Sequence, residues 1–226
     1  MIQDRPLPPT ARGGIFRRVV ISSHPEVPVS AAPLPRNPEH SIAAAVHERW
    51  SPRAFTGEEI PVDTLMGLFE AARWAPSAMN AQPWRFVYAR RGTPAFDRFL
   101  ATLAPANQLW AGKASALVAV VSQELMSLPG KEPAPSASHS FDAGAAWAQL
   151  ALQAQLWGWS THGIGGFDPE QATKALALPP AHRIEIFAAV GRRGDSAALP
   201  DWARTREYPS GRKPLSELVF EGSVGA

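Results

Sequence analysis

The stretch APSAMNAQPWRF spans residues 75–86 and lies between a helical pattern and a strand pattern. Its polar members Ser77, Asn80 and Gln82 are crowded between three apolar residues, Pro83 and Trp84 within the stretch and Trp74 just before it. Amide and hydroxyl groups placed in this way can recognise the alternating donors and acceptors on the edge of a flat heterocycle. Turn capping would explain Ser77 and Asn80, but it requires neither Gln82 nor the tryptophans. The stretch therefore predicts a ligand-binding loop.

The segments on both sides of this loop predict an α+β fold. A helical pattern follows Asp63, the expected N-cap, and residues 85–89 have the pattern of a strand. Helices outnumber strands, and no repeat of βαβ units indicates a Rossmann sheet. We therefore expect a sandwich of helices around a small mixed β-sheet. Two further strands are predicted at 116–121 and 184–190, and further helices begin at Thr93-Pro94, Ser140 and Asp168.

The long helix from Ser140 to Gly158 is rich in small residues that allow another helix to approach closely. Residues 123–138 are polar and proline-rich and are predicted to form a surface loop or lid. Residues 1–37 are rich in Pro, Ser and Arg without any period, which predicts an irregular arm outside the core. The expected division is therefore an extension at 1–37 and one domain at 38–226.

A second polar segment, ERWSPRAF, spans residues 48–55. Arg49, Ser51 and Arg53 alternate along an extended, proline-containing stretch, so their side chains can project to the same side. Two guanidinium groups and a hydroxyl suit a phosphate, because arginine binds phosphate through paired, charge-assisted hydrogen bonds. Without further information, a solvated charged turn would explain the same residues.

Taken together, the pattern R-x-S-x-R-x-F at 49–55 and the stretch 75–86 resemble the paired signature of the nitroreductase family. Three further segments follow in the family's order. ANQLWAGKAS (106–115) is similar to the segment whose asparagine, here Asn107, reaches a flavin, and HGIGGFD (162–168) resembles the glycine loop beneath it. GRKPLSELV (211–219) is similar to the C-terminal segment whose arginine, here Arg212, returns to the phosphate.

This resemblance implies an FMN-dependent oxidoreductase that binds FMN at the interface of a homodimer. NADH or NADPH would donate a hydride to FMN, and a nitroaromatic, a quinone or a similar small molecule would accept the electrons. The implied FMN-binding residues are Arg49, Ser51, Arg53, Ser77, Asn80, Gln82, Asn107, Gly165, Gly166 and Arg212. No catalytic side chain is implied. His162 is the only histidine expected near the site, and a structural or solvated role is favoured for it.

The composition excludes several other kinds of site. The chain has no cysteine, which removes disulfides, iron–sulfur ligation and thiol nucleophiles, and its histidines show no metal-ligand spacing. The pI is about 9.3, but the sequence contains no run of basic residues of the kind that indicates nucleic-acid binding. The longest apolar run, near 116–121, is far shorter than the roughly 20 residues that span a bilayer. A cytoplasmic protein is the simplest expectation.

Two alternatives remain open from the sequence alone. The chain could be a specialised relative, such as a reductive dehalogenase, a cyclic-dipeptide oxidase or a flavin-degrading enzyme. It could also be a flavin-binding dimer without turnover. The physiological acceptor and the preference for NADH or NADPH cannot be derived from these motifs, because no Rossmann fingerprint is present to examine.

Overall fold

The computed structural model describes residues 36–127 and 129–224. The expectation of an irregular arm therefore falls almost entirely outside the described residues. The helices and strands are, in chain order, α1 (Ala44–Glu48), α2 (Val62–Arg73), β1 (Trp84–Arg90), α3 (Pro94–Thr102), α4 (Pro105–Ala111), β2 (Ala116–Gln123), β3 (Leu125–Met126), β4 (Ala134–Pro135), α5 (His139–Leu156), β5 (Ser160–Ile164), α6 (Pro169–Ala175), β6 (His182–Gly191) and α7 (Asp201–Arg204).

Four of these strands form one sheet in the order β1-β2-β6-β5. All three of its strand pairs are antiparallel, so the mixed pairing that was expected is not seen among the described strands. Strand β2 is central and buried on both faces, which explains why it is apolar at nearly every position. Its register with β6 shifts between Val120 and Val121.

Helices cover both faces of this sheet and divide the core into two layers. Leu117, Ala119 and Val121 point into a cluster with residues of α3, α4 and α6. Val118 and Val120, which alternate with them, point into a second cluster with residues of α2 and α5. Because side chains alternate between the two faces of a strand, β2 contributes residues to both core clusters. The predicted α+β sandwich is confirmed.

Helix α5 packs on the sheet through a face that combines alanines with Leu150. Its buried residues are Asp142, Ala143, Ala146, Leu150, Ala151 and Ala154. By contrast, Phe141 is 82% exposed and Leu156 is 65% exposed. Ala148 lies on this same outer face and is also exposed. The buried face thus contains mainly small side chains because the helix lies close to the sheet, while Phe141 and Leu156 face outward.

Local sequence signals predicted two of the helix N-caps correctly and a third one incorrectly. Thr93 caps α3 by accepting the N–H of Phe96, and Asp168 caps α6 by accepting the N–H groups of Glu170 and Gln171, as predicted. Asp63 is not the N-cap of α2. Pro61 occupies that position, and Asp63 lies in the first turn, where its charge complements the helix dipole.

The segment predicted as a loop or lid at 123–138 contains a short hairpin. Strands β3 and β4 pair antiparallel, and the N–H of Ser136 donates to the carbonyl of Glu124 at 2.8 Å. A role as a lid stays a prediction. No helix in the parts of the chain described is long and apolar enough to cross a membrane.

Candidate functional site

The segment that follows α1 carries the predicted arginines. Helix α1 ends at Glu48, and Arg49 already has extended dihedral angles, since Pro52 disfavours a helical conformation at Ser51. The Nη1 of Arg49 donates to the Oγ of Ser51 at 3.4 Å, so these two side chains project to the same side as predicted. The residues 49–53 therefore present a guanidinium and a hydroxyl together.

A cavity of about 550 Å³ is lined by both Arg49 and Arg212, although these residues lie far apart in the chain. Burial, followed by the positive charges of Arg212 and Arg36, lowers the pKa of Arg49. Like charges gathered in this way favour a bound anion. The cavity is lined by Arg36, Asn37, Pro38, Glu39, His40, Ile42, Val46, His47, Arg49, Arg212, Lys213, Pro214 and Leu215.

Two of these lining residues belong to the segment that was assigned to the extension. Arg36 and Asn37 were assigned to the irregular extension at 1–37, yet both line the cavity. The side chain of Arg36 also hydrogen-bonds to residues at the end of α1 and in the C-terminal segment. These contacts place Arg36 and Asn37 beside the domain, and the boundary at residue 37 stays a prediction.

Arg53 is held mainly through its backbone, by an acid that the sequence did not indicate. The carboxylate of Glu207 accepts the N–H of Arg53 at 2.8 and 3.0 Å and the N–H of Ala54 at 2.8 Å. Burial lowers the pKa of the Arg53 guanidinium, the charge of Glu207 opposes that shift, and the charge of Arg206 adds to it. Glu207 thus fastens the C-terminal segment to the segment 49–54.

His162 lies beneath the same segment. The Pro52 carbonyl can only accept a hydrogen bond, so the Nδ1 of His162 carries the proton and donates to it at 3.1 Å. The imidazole also packs against the ring of Trp110, with 4.6 Å between ring centroids. Burial and the positive charge of Arg53 lower the pKa of His162 to about 4. His162 is therefore neutral at pH 7 and positions the chain at Pro52, in agreement with the structural role that was favoured.

This burial predicts a dependence of stability on pH. As the pH falls from 6.5, the usual pKa of histidine, towards about 4, the unfolded chain gains a proton that the folded chain does not bind. The free energy of unfolding should then decrease by on the order of 3 kcal/mol across that window. His162→Gln should remove this part of the pH dependence. Urea unfolding of both proteins between pH 4 and 7.5 measures it, and parallel curves would contradict the assignment.

The glycine loop after β5 is braced by Asn107. The Nδ2 of Asn107 donates to the carbonyl of Gly166 at 3.0 Å, and the N–H of Ala104 donates to the same oxygen at 2.9 Å. A Cβ added to Gly166 would lie 2.7 Å from the Asn107 Nδ2, whereas one added to Gly165 would meet no atom within 4 Å. The loop is thus fixed on one side and open above Gly165.

The residues Ser77, Asn80 and Gln82 form a second, separate cluster. The Oγ of Ser77 accepts the N–H of Gln82 at 3.0 Å, and the Nε2 of Gln82 donates to the Asn80 carbonyl at 3.1 Å. Met79, Asn80 and Gln82 all have φ between 47° and 54°, a region that non-glycine residues seldom adopt. Strained backbone of this kind is concentrated at binding sites, because the surrounding structure must enforce it.

Asp142 supplies part of that enforcement and was not predicted. Its buried carboxylate accepts the N–H of Ala78 at 3.2 Å and the hydroxyl of Ser138 at 3.0 Å. One acid in the first turn of α5 therefore holds the start of the loop 77–82. In the sequence, this aspartate could not be distinguished from an ordinary helix-start residue.

Among the described residues, no hydrogen bond or ion pair joins this second cluster to the other predicted site residues, which are Arg49, Ser51, Arg53, Asn107, Gly165, Gly166 and Arg212. Of these, Arg49 and Arg212 line the cavity, whereas Asn107 contacts the glycine loop. The loop 77–82 adjoins β1 at the sheet edge opposite to β5, from which the glycine loop extends. The part of the chain described also contains no group of histidine, aspartate and glutamate side chains that could hold a metal ion.

Comparison with known proteins identifies the family. A model of the nitroreductase family matches residues 46–94, which include both polar segments. A solved structure of an oxidoreductase containing FMN is 43% identical to this chain, covers 83% of it and 95% of its own length, and superimposes with a TM-score of 0.81. This chain belongs to the nitroreductase family.

Two other family relatives cover most of their own length. An NADH dehydrogenase from Thermus thermophilus is 29% identical over 203 residues, which are 78% of this chain and 93% of that protein. A structure from Desulfovibrio desulfuricans, described as that of a nitroreductase in complex with FMN, is 25% identical with a TM-score of 0.62. It covers 80% of this chain and 95% of its own length.

Proposed function

We propose that this member of the nitroreductase family is an FMN-dependent oxidoreductase that uses NADH or NADPH to reduce a nitroaromatic, a quinone or a similar small acceptor. The observation that carries the proposal is the cavity that gathers Arg49 and Arg212 from distant parts of the chain. Solved relatives that contain FMN support the choice of cofactor.

The phosphate of FMN fits the residues around this cavity. Arg49 and Arg212 both line the cavity, and the hydroxyl of Ser51 lies within reach of Arg49. A dianionic phosphate would offset the mutual repulsion of the guanidinium groups, which adds to the effect of burial in lowering the pKa of Arg49. Glu207 holds the backbone of Arg53 in the same segment, and we propose that the Arg53 guanidinium adds a further positive charge to the phosphate site.

The flat ring of FMN fits the open space above Gly165. A Cβ at Gly165 would meet no atom of the described residues within 4 Å, and Asn107 holds the carbonyl of Gly166 in place. In this arrangement, the backbone of the two glycines would approach the ring closely, which a side chain there would prevent. Ser77, Asn80 and Gln82 would contact the ring or its tail.

Bound FMN would supply the chemistry by accepting a hydride and passing electrons onward, and the protein would supply binding and orientation. His162 cannot act as a proton donor at neutral pH through an imidazolium, since its pKa is about 4 and its one N–H is committed to Pro52. No catalytic side chain is therefore assigned. Protons would come from solvent.

We further propose that the two clusters meet across a homodimer. Within one subunit, the loop 77–82 adjoins β1 and the glycine loop follows β5 at the opposite edge of the sheet, so two subunits would be needed to bring both to one ligand. The outer face of α5 is suited to such an interface because it exposes Phe141 and Leu156 around small residues such as Ala148.

Replacing Ala148 by tryptophan tests this interface. Because Ala148 is exposed within the subunit, the fold should tolerate the substitution, whereas a closely packed dimer should not. Dimer dissociation and loss of FMN are therefore expected together, measured by sedimentation velocity at the flavin and protein absorbance bands. Ala101→Trp, at an exposed position on α3, is the matched control. An Ala148→Trp protein that remains a flavin-loaded dimer would contradict the proposed interface.

The oxidoreductase activity itself is tested by steady-state turnover. Purified protein should consume NADH or NADPH continuously when a quinone or a nitroaromatic is added under anaerobic conditions. Consumption that stops after one equivalent of flavin is reduced, with every acceptor tried, would indicate a flavin-binding protein without turnover. A screen of acceptors against the reduced protein would then rank the substrate classes.

A further inference from the structure

Arg36 makes an unusual set of contacts next to the phosphate-binding arginines. Its Nη1 donates to the Ser210 carbonyl at 2.8 Å, and its Nη2 donates to the carbonyls of His47 and Arg49, the latter at 3.3 Å. One guanidinium therefore spans the end of α1 and the C-terminal segment, 174 residues away in the chain.

The Ser210 carbonyl connects Arg36 directly to Arg212. It accepts the Nη1 of Arg212 at 3.0 Å in addition to the Nη1 of Arg36. Arg36 thus contacts the backbone oxygen of Arg49 on one side and the oxygen that orients Arg212 on the other. The planar guanidinium, with its fixed fork of donors, is suited to hold two such segments at a set separation.

Neighbouring residues fix the segment that carries Arg36. The Nε2 of His47 is paired with the Arg36 carbonyl at 2.7 Å, so it must be the protonated nitrogen of that ring. The carboxylate of Glu39 accepts the N–H of Leu215 at 2.8 Å on the other side of the cavity. The residues 36–39 are therefore tied both to α1 and to the C-terminal segment.

The charge of Arg36 also remains available to a ligand. Among the described residues, Arg36 forms no ion pair, and its partners are carbonyl groups that carry only partial charges. Its positive charge is felt at the cavity, where it contributes to the lowered pKa of Arg49.

We propose that Arg36 is a positioning residue of the FMN phosphate site, which holds the Arg49 and Arg212 segments together from outside the family's paired motifs. This proposal rests on the proposed FMN function. It assigns the residues immediately before Pro38 a role in cofactor affinity. It also implies that FMN dissociates more readily when the contacts of Arg36 with the two segments are removed.

The test compares FMN and riboflavin, which differ only in the phosphate. Full-length protein would be prepared as wild type, Arg36→Gln, Arg36→Lys and Arg98→Gln, the last being an exposed arginine on α3 for which no hydrogen bond is seen in the described chain. FMN release from the holoprotein on dilution is followed by recovery of flavin fluorescence, and affinities for FMN and riboflavin are measured after flavin removal.

Arg36→Gln is expected to reduce FMN affinity by about tenfold or more, while riboflavin affinity changes by less than about twofold. Arg36→Lys should recover only part of the loss, because it keeps the charge but lacks the fork. Arg98→Gln should behave as wild type.

Three results would overturn the proposal. Equal FMN affinity in Arg36→Gln and wild type would show that Arg36 has no role in the site, and an equal loss for FMN and riboflavin would show a general structural defect. Full recovery in Arg36→Lys would show that charge alone acts. If Arg36→Gln does not fold, Arg36→Lys provides the test instead. Its affinity for FMN should then fall relative to its affinity for riboflavin, and an unchanged ratio of the two affinities would overturn the proposal. A wild-type protein that binds neither flavin would instead refute the proposed function.

Discussion

Arg49→Ala is expected to weaken FMN binding by about 10- to 150-fold. The substitution removes a charge-assisted contact to the phosphate, which contributes roughly 1.5–3 kcal/mol. Arg49 is central to this part of the site because it lines the cavity together with Arg212 and donates to Ser51. Equilibrium titration of the flavin-free protein with FMN, followed by flavin fluorescence, measures the change.

Two comparisons make the Arg49 result specific. Arg98→Ala removes an exposed arginine from α3 and should leave FMN affinity unchanged. Arg212→Ala should weaken FMN in the same direction as Arg49→Ala. Riboflavin affinity should change little in all three proteins. If Arg49→Ala and wild type bind FMN equally, the segment 48–55 is a solvated turn and the phosphate lies elsewhere.

Gly166→Val is expected to lower turnover by at least about tenfold with FMN retained, which corresponds to about 1.4 kcal/mol in the activation barrier. Even the first added carbon would lie 2.7 Å from the Asn107 Nδ2 and 3.6 Å from the Ala104 Cβ. The hydrogen bond from Asn107 to the Gly166 carbonyl must then lengthen or break. The loop would shift towards the open space in which the flavin ring is proposed to lie.

Stopped-flow reduction of the bound flavin by NADH or NADPH measures this effect without interference from the acceptor. His162→Gln is the comparison, since His162 begins the segment that contains the glycine loop but is assigned no role in proton transfer. Its flavin should be reduced at nearly the wild-type rate. If the His162 variant loses reduction and the Gly166 variant keeps it, side-chain acid–base catalysis takes place and the proposed assignment of the site is wrong.

Much of the fold could be predicted because its signals are local. Strand β2 is apolar on both faces, and the caps at Thr93 and Asp168 act within three residues of themselves. Helix α4 and strand β5 were missed because neither has a clear pattern of its own. The residues of β5 include a histidine and a glycine, and pairing with β6 makes them a strand.

The faces of α5 show a different limit. Phe141 and Leu156 belong to the helical pattern of α5, yet they lie on its exposed side, whereas Leu150 and several alanines form the buried side. A sequence pattern indicates which face is more apolar. It cannot indicate whether that face packs within the subunit or against another one, because both environments favour the same residues.

The residues of the candidate site also fall into those that the sequence could predict and those that it could not. Residues within the two motifs were predicted, whereas Glu207, Asp142 and Arg36 were not. Each of these three acts on backbone groups far along the chain, at separations of 154, 64 and 174 residues. A single charged residue is normally solvated, so its sequence neighbourhood gave no sign of a buried partner.

Anaerobic titration of the purified protein with NADH and with NADPH tests the central claim most directly. The preparation should be yellow with about one FMN per chain, and its visible absorbance should be lost on addition of about one equivalent of a nucleotide that it accepts. Readmission of a quinone should restore the colour. A protein that takes up no FMN, or whose bound FMN neither nucleotide reduces, would contradict the assignment as an FMN-dependent oxidoreductase.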